Sequence, residues 1–387
     1  MRINTALAGA MSLAFATTAY AEAPQYSLLG DWPVKLTTDS GVEFGLKGNV
    51  NYDYNEFGDD RLPSGAGRFV DDDAWRRQEL NAFARKPGVF EIAVGYDFKS
   101  KLWLDSFLRL SSKVGGDLRI GQFKTPVGYE ESAVGSNAAT FMERALPVGL
   151  IYQGRRLGAD WTYDKLPGWY FNAALMSGGD LQGDNDGRTL GARVVFNPLK
   201  SDADVIHLGL SASNEKRDDD QARARVRPEA NLTDVRLVDS GALGQVEAIN
   251  RQGLEAIWRH GPLLVQSEYL RMGVDRYGRP DYSTDGYYLA GSWVLTGEAR
   301  PYKNSGFGNL KPSRAFGAVE VAVRYSQVDL DDRGVSLGGR QRDWTLGVNW
   351  YIGQHFKLQA NYVWADSKRR GLQLDPDIAQ LRMQIYF

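Results

Sequence analysis

The stretch Asp343-Trp344-Thr345-Leu346-Gly347-Val348-Asn349-Trp350-Tyr351-Ile352 decides the fold. Trp344, Leu346, Val348, Trp350 and Ile352 stand at every second place, with Asp343, Thr345, Gly347 and Asn349 between them. Such a period-two pattern describes a strand with one apolar and one polar face. After Gly353 and Gln354 the pattern returns, with Phe356, Leu358, Ala360, Tyr362 and Trp364 set against Lys357, Gln359 and Asn361. A third run places Ala379, Leu381, Met383, Ile385 and Phe387 against Gln380, Arg382 and Gln384. A sandwich can bury an apolar face against a second sheet, but aromatics at the strand ends fit a face that meets lipid. The expected fold class is therefore an all-β, antiparallel transmembrane β-barrel.

At the amino terminus, Arg2 precedes an apolar and small-residue run from Ala6 to Ala16, followed by Ala19-Tyr20-Ala21. This reads as a secretory signal peptide over 1–21, with the mature barrel domain at 22–387. The run is well short of the roughly 20 residues of a spanning helix. Mean hydropathy is low at -0.40, which suits a barrel around a wet lumen, since only half of each strand meets lipid. Gly 43, Tyr 19 and Trp 10 are abundant and Cys is 0, so neither a disulfide framework nor a thiolate metal site is expected. Without Arg2 the chain carries 45 basic and 48 acidic residues. So balanced a total says nothing about the sign of a ligand, and only the placement of charge can.

Taken in order, a Pro-containing lead-in from Glu22 to Ser40 gives way to a strand over Gly41–Asn55. The same alternation marks strands at 75–85, 90–98, 102–111, 116–124, 154–164, 169–177, 188–196, 205–214, 250–259, 263–272, 285–297 and 316–328. With the three terminal runs these make about sixteen strands, an even number suited to a channel-sized barrel. Ten tilted residues reach roughly 23 Å, close to the height of the apolar band. Tight connections such as Lys86-Pro87-Gly88, Leu166-Pro167-Gly168 and His260-Gly261-Pro262 alternate with long ones. Short turns are expected on the periplasmic side and long loops outside. Of the long loops, Thr125–Gln153 and Glu215–Ile249 are candidates to fold inward and narrow the lumen.

Charge placement supplies the candidate site. Arg223, Arg225 and Arg227 recur at every second place, so an extended segment points all three guanidiniums one way. A row inside a pore would pass an oxyanion from site to site. Alternatively it is a solvated loop face paired with Asp218, Asp219 and Asp220. Arg76-Arg77 opens a strand, so one faces the lumen and the other lies near the membrane interface. Arg144, within the first long loop, is either a pore cation or a structural arginine bridging carboxylates. Asp184-Asn185-Asp186-Gly187 lacks calcium-loop spacing and reads as a turn. His207, His260 and His355 have no H-E-x-x-H or G-x-S-x-G nearby, and no nucleotide-binding loop is present. No enzyme, cofactor, metal or nucleic-acid partner is expected. Surface-lipid hydrolysis lacks a nucleophile and base, and a purely structural or adhesive barrel would have a plugged lumen.

Several stretches in order, Trp75-Arg76-Arg77, Val205–Leu210, Ser267–Leu270, Leu295–Lys303 and Thr345–Tyr351, with the terminal aromatic strand, resemble the phosphate-selective porin O and P family. The resemblance implies a homotrimer of sixteen-stranded barrels in the Gram-negative outer membrane, in contact with lipid and lipopolysaccharide. It also implies an arginine and lysine ladder that draws small anions such as phosphate or polyphosphate to a narrow centre. By position, Arg76, Arg77, Arg144, Arg225, Arg227, Lys303 and Lys311 resemble ladder members, with Arg223 in the same row, and Asp105 resembles the central acidic residue. Glu131 falls where the family's central lysine is expected, and Glu91 and Glu229 fall at two further basic positions. These three carboxylates put strong phosphate selectivity in doubt, and a general or weakly selective channel is the alternative.

Overall fold

The computed structural model describes residues 35–58, 69–177, 179–183, 187–303 and 305–387. The expected signal peptide and the turn at 184–186 lie outside them. Sixteen long strands form the wall: β1 (Glu43–Phe57), β2 (Asp72–Lys86), β3 (Phe90–Asp97), β4 (Ser106–Ser112), β5 (Gly116–Lys124), β6 (Arg155–Tyr163), β7 (Trp169–Ser177), β8 (Arg188–Lys200), β9 (Asp204–Lys216), β10 (Val246–His260), β11 (Leu263–Arg276), β12 (Tyr282–Val294), β13 (Ala318–Asp332), β14 (Ser336–Ile352), β15 (Phe356–Arg369) and β16 (Asp377–Tyr386). Each pairs antiparallel with the next, and β1 closes on β16 from Asn49 opposite Tyr386 to Phe57 opposite Ile378. Closure leaves no edge, as hydrocarbon demands.

Alternation sorts the two faces. On β14, Asp343, Thr345, Asn349 and Tyr351 are fully buried toward the lumen, while Trp344, Leu346 and Val348 are about half exposed on the outside. Aromatics gather at both outer margins. Tyr325 and Trp344 lie 5.0 Å apart near one rim, and Phe316 and Trp350 lie 5.2 Å apart near the other. Such girdles mark the two water–lipid interfaces. In the amino-terminal lead-in, Leu36 and Thr37 pair with Phe44 and Glu43, extending the wall slightly below β1.

The chain-terminal rim carries the short turns, and the opposite rim carries the long loops 125–154 and 217–245. One connection departs from the expectation that long segments share one side. Residues 295–317, between β12 and β13, spring from the turn rim yet run as long as a loop, because they fold back into the lumen. A second departure occurs at Arg76. The register of β1 against β2 slips between Asn51 and Tyr52, which face Arg77 and Trp75, leaving Arg76 as the extra residue of a β-bulge. The bulge turns Arg76 inward beside Arg77, so both arginines enter the lumen, where strict alternation allows only one.

Leu346 sits between the two girdle tryptophans of β14. Leu346→Arg is expected to cost about 2–4 kcal/mol, read as the shift in denaturant unfolding from lipid vesicles. An unchanged stability would mean that this face does not meet hydrocarbon.

Candidate permeation path

Loop 125–154 crosses the lumen and is held by the wall and by segment 295–317. Buried side chains donate to its backbone oxygens: Arg300 to Ala138 at 2.9 Å, Lys357 to Ala139 at 2.6 Å, Asn349 to Thr140 at 2.8 Å, Arg382 to Met142 at 2.7 Å, Arg324 to Glu143 at 3.0 Å and Arg251 to Leu150 at 3.2 Å. Four of the donors are themselves ion-paired, Arg382 to Asp53, Arg324 to Glu229, Arg300 to Glu320 and Arg251 to Glu215. The loop carries two short helices, α1 (Tyr129–Ser132) and α2 (Val148–Ile151); Arg251 clamps α2 as a donor, whereas α1 is held by an acceptor. Tyr129 and Glu130 donate their backbone N–H groups to Glu268 at 2.5 and 3.0 Å.

Loop 217–245 packs on top. Ala222, Ala224, Val226, Val238 and Leu243 join Leu146 and Leu150 in a cluster with Met272, Val274, Tyr282, Val328 and Leu330 of the wall. The inward face of β11–β13 is therefore apolar there, because it meets loop rather than water. Glu229 locks the arrangement: it accepts from the Leu146 N–H at 3.3 Å, Arg324 at 2.6 Å, Ser326 at 2.5 Å and Thr345 at 2.5 Å. From the other rim, segment 295–317 meets the same loop, Phe307 packing with Tyr129 and Ser305 accepting from Arg193 at 2.7 Å. These three segments fill the β8–β15 side, which leaves the open path along β1–β7.

On that side the loop narrows the path between two charged banks. Arg76 pairs with Glu143 at 3.2 Å, Arg77 with Glu79 at 2.9 Å, Arg155 with Asp105 at 2.6 Å, and Lys124 with Glu131 at 3.1 Å, while Arg144 also pairs with Glu131. Five cations facing the path thus share four carboxylates, and the buried Arg382 also reaches Glu143 at 3.0 Å. Burial alone would raise the Glu143 carboxyl, but Arg76 and Arg382 outweigh it and hold it down at about 2. Burial likewise opposes ionisation of Glu131, and Arg144 with Lys124 reverses the shift to a lowered value. Below the constriction a cavity of about 280 Å³ runs along β1–β4, lined by Lys47, Glu79, Glu91, Asp105, Ser136 and Asn137 among others.

The residues expected from sequence fall into three groups. Arg76, Arg77, Asp105, Glu131 and Arg144 meet at the constriction. Arg223, Arg225 and Arg227 lie on the exposed face of loop 217–245, alternating with buried Ala222, Ala224 and Val226. Arg223 pairs with Asp239 rather than with the upstream aspartates, whereas Arg227 donates to the Thr233 carbonyl at 3.2 Å and to Asn231 at 3.3 Å and reaches Asp234 at 3.9 Å. Burial, and then the like charges of Arg227 and Arg225, push Arg236 down to about 10 against the opposing pull of Asp234 and Asp239, so positive charge gathers locally around these three arginines. Lys303 and Lys311 are exposed on segment 295–317, toward the other mouth. Glu91 lines the cavity but is tied to Arg109 at 2.9 Å.

Glu229 is a correction. It is 3% exposed and clamps two loops to the wall, so it takes no charge away from the path. Lys124, Arg155, Glu79, Glu143 and Arg236 were missed. Lys124 and Arg155 face each other as the last and first residues of the strands flanking the long loop, a placement that could have flagged them. His207, fully buried, bridges Glu255 at 2.9 Å and Tyr302 at 2.8 Å, a packing role.

A family model described as phosphate-selective porin O and P matches residues 44–387. Porin O of Pseudomonas aeruginosa is 27% identical over 389 aligned positions, covering 86% of this chain and 85% of that protein. Among solved structures, an anion-selective porin from Comamonas acidovorans superposes with a TM-score of 0.55 at 12% identity, over 89% of this chain and 100% of that one. OmpT of Vibrio cholerae, in a trimer form, gives 0.57 at 10% identity, over 89% and 99%. At such identities the two structures speak for the barrel fold alone.

The Glu143 clamp has a defined pH dependence. A carboxyl held at about 2, against an ordinary 4.5, contributes stability that is fully present above pH 4.5 and is lost as pH falls toward 2. The gap in thermal midpoint between wild type and Glu143→Gln is expected to stay constant from about pH 8 to about 5 and to shrink below that. A gap that closes between neutrality and pH 6 would contradict the assignment.

Proposed function

Because the chain belongs to the phosphate-selective porin O and P family, an outer-membrane porin family, we propose that it is a passive diffusion channel drawing small anions, phosphate or polyphosphate among them, through an arginine- and lysine-lined lumen. One observation carries this reading. Arg225 and Arg227 stand exposed on the loop face turned from the apolar cluster; Asp239, opposite Arg225, is already held by Arg223, and Arg227 reaches Asp234 only at 3.9 Å, so the two guanidiniums present positive potential at the mouth. Lys303 and Lys311 do the same toward the other mouth.

The constriction tempers it. Glu131 stands where the family's central lysine is expected, and Lys124 and Arg144 both lean on it. The structure favours one further reading on that ground, a general or weakly selective porin whose paired charges set up a transverse field. The family points to a channel rather than an enzyme. In line with the trimer form described for OmpT and with the family resemblance, the chain forms a homotrimer embedded in outer-membrane lipid and lipopolysaccharide. Residues 1–21 act as the export signal for a single barrel domain over 22–387.

Planar-bilayer reversal potentials in a chloride gradient, repeated with added phosphate, test the reading. Anion preference is expected, with phosphate reducing chloride current. Arg225→Ala combined with Arg227→Ala should lower the anion-to-cation permeability ratio about two- to fivefold, more at low salt than at high. A cation-selective or silent channel overturns the proposal. An unchanged ratio in the double variant places the row outside the conducting path.

A further inference from the structure

We propose that the cavity below the constriction is a subsite for planar aromatic carboxylates, adjoining the charged constriction with which it shares Glu79 and Asp105. The proposal rests on the reading of the barrel as an anion-conducting channel and names a second class of solute for it. Its basis is one row of the lumen wall. Phe83 of β2 stands directly opposite Ala93 of β3, and Ala93 directly opposite Phe107 of β4. All three line the cavity of about 280 Å³.

The two phenyl-bearing strands are two strand spacings apart, roughly 10 Å. Between them Ala93 offers only a methyl floor. On the outer side of Phe83 stands Gly45, where a Cβ would lie 2.6 Å from the ring's Cζ. That glycine lets the ring lie back toward β1 and holds the space over Ala93 open. A flat ring entering this slot stacks against either phenyl at the centroid separations of about 4.5–7 Å that aromatic pairs adopt.

The rim of the slot carries both signs, but its carboxylates are engaged: Glu79 by Arg77, Asp105 by Arg155 and Glu91 by Arg109. Lys47 Nζ lies 5.0 Å from the Phe83 ring centroid, and the Arg109 guanidinium lies 5.1 Å from that of Phe107. Arg109 is committed to Glu91. Among the described residues, Lys47 makes no ion pair within 4 Å, although it lines the same cavity. A carboxylate attached to the stacked ring therefore has Lys47 as its partner. An inorganic oxyanion gains nothing from two phenyl faces, and a neutral ring leaves Lys47 unused. Only a solute with both parts uses the whole site.

The probe is benzoate, with acetate as the ring-free control, added to the full-length protein in two formats. In planar bilayers each is titrated against chloride current; in detergent each is titrated by calorimetry. Benzoate is expected to act at about tenfold lower concentration than acetate in both. Phe83→Leu and Phe107→Leu should each cut that advantage severalfold, and Ala93→Leu, which fills the floor, should remove it. Lys47→Met should weaken both carboxylates. Equal potency of benzoate and acetate in calorimetry, or an advantage untouched by all three slot variants, overturns the subsite. Anion preference with equal potency sinks the subsite alone. A cation-selective channel that still binds benzoate tenfold better in calorimetry sinks the channel reading and leaves the subsite standing.

Discussion

A backbone carbonyl withdrawn from water must find a donor, and loop 125–154 carries its carbonyls across the inside of the barrel. The wall supplies five of the donors and segment 295–317 the sixth, Arg300. Arg300, Lys357, Asn349, Arg382, Arg324 and Arg251 reach inward and take hold of six of them. This contact fixes where the loop lies, hence which half of the lumen is filled and which half conducts. Loop 217–245 packs against the loop and takes its position from it, while segment 295–317 and the loop fix each other through Arg300.

The same contact divides the arginines of the lumen into two populations. Arg324 is 1% exposed and Arg382 and Arg300 are each 3% exposed, and every one has a carboxylate besides its loop carbonyl. Removing one partner of such a buried pair strands the other charge, at a cost of roughly 3–5 kcal/mol. These arginines are structural. Arg76, Arg77, Arg144 and Arg155 keep about a fifth to a third of their side-chain surface exposed, and they face the space that remains. A count of lumen arginines therefore overstates the field an ion meets.

The wall was legible because its period is local. Each strand states its own inside and outside, and a boundary error moves no side chain to the other face. At Arg76 the local rule failed, since a bulge is a mismatch of one strand against its neighbour and leaves no mark on either alone. The clamps failed to show for a stronger reason. Arg382 and Asp53 are 329 positions apart, and Arg382 and Met142 are 240 apart, so nothing near any of them in the chain names its partner. Glu229 illustrates the result. As a charge beside Arg227 it looked like a loss of positive potential, yet at 3% exposure with four donors around it it serves packing. Arg223, Arg225 and Arg227 share one exposed face, because alternation in an extended loop is as local as in a strand.

What remains is how an anion fares at the constriction. Five cations sharing four carboxylates leave little net charge, so Coulomb attraction at the narrowest point is modest compared with that of a bare arginine ladder. The paired groups are nonetheless fixed and oriented, with Arg76 and Arg77 on one bank and Lys124, Arg144 and Arg155 on the other. On the proposed reading, an entering oxyanion competes with Glu79, Glu143, Asp105 and Glu131 for donors already engaged, which weakens binding and speeds release. On the same reading, the exposed rows at the mouths set the preference for sign, while the constriction sets size and rate. Selectivity placed at the mouths is sensitive to salt, since exposed charge is screened within about 10 Å at 0.1 M ionic strength. A channel built this way discriminates most sharply in dilute media.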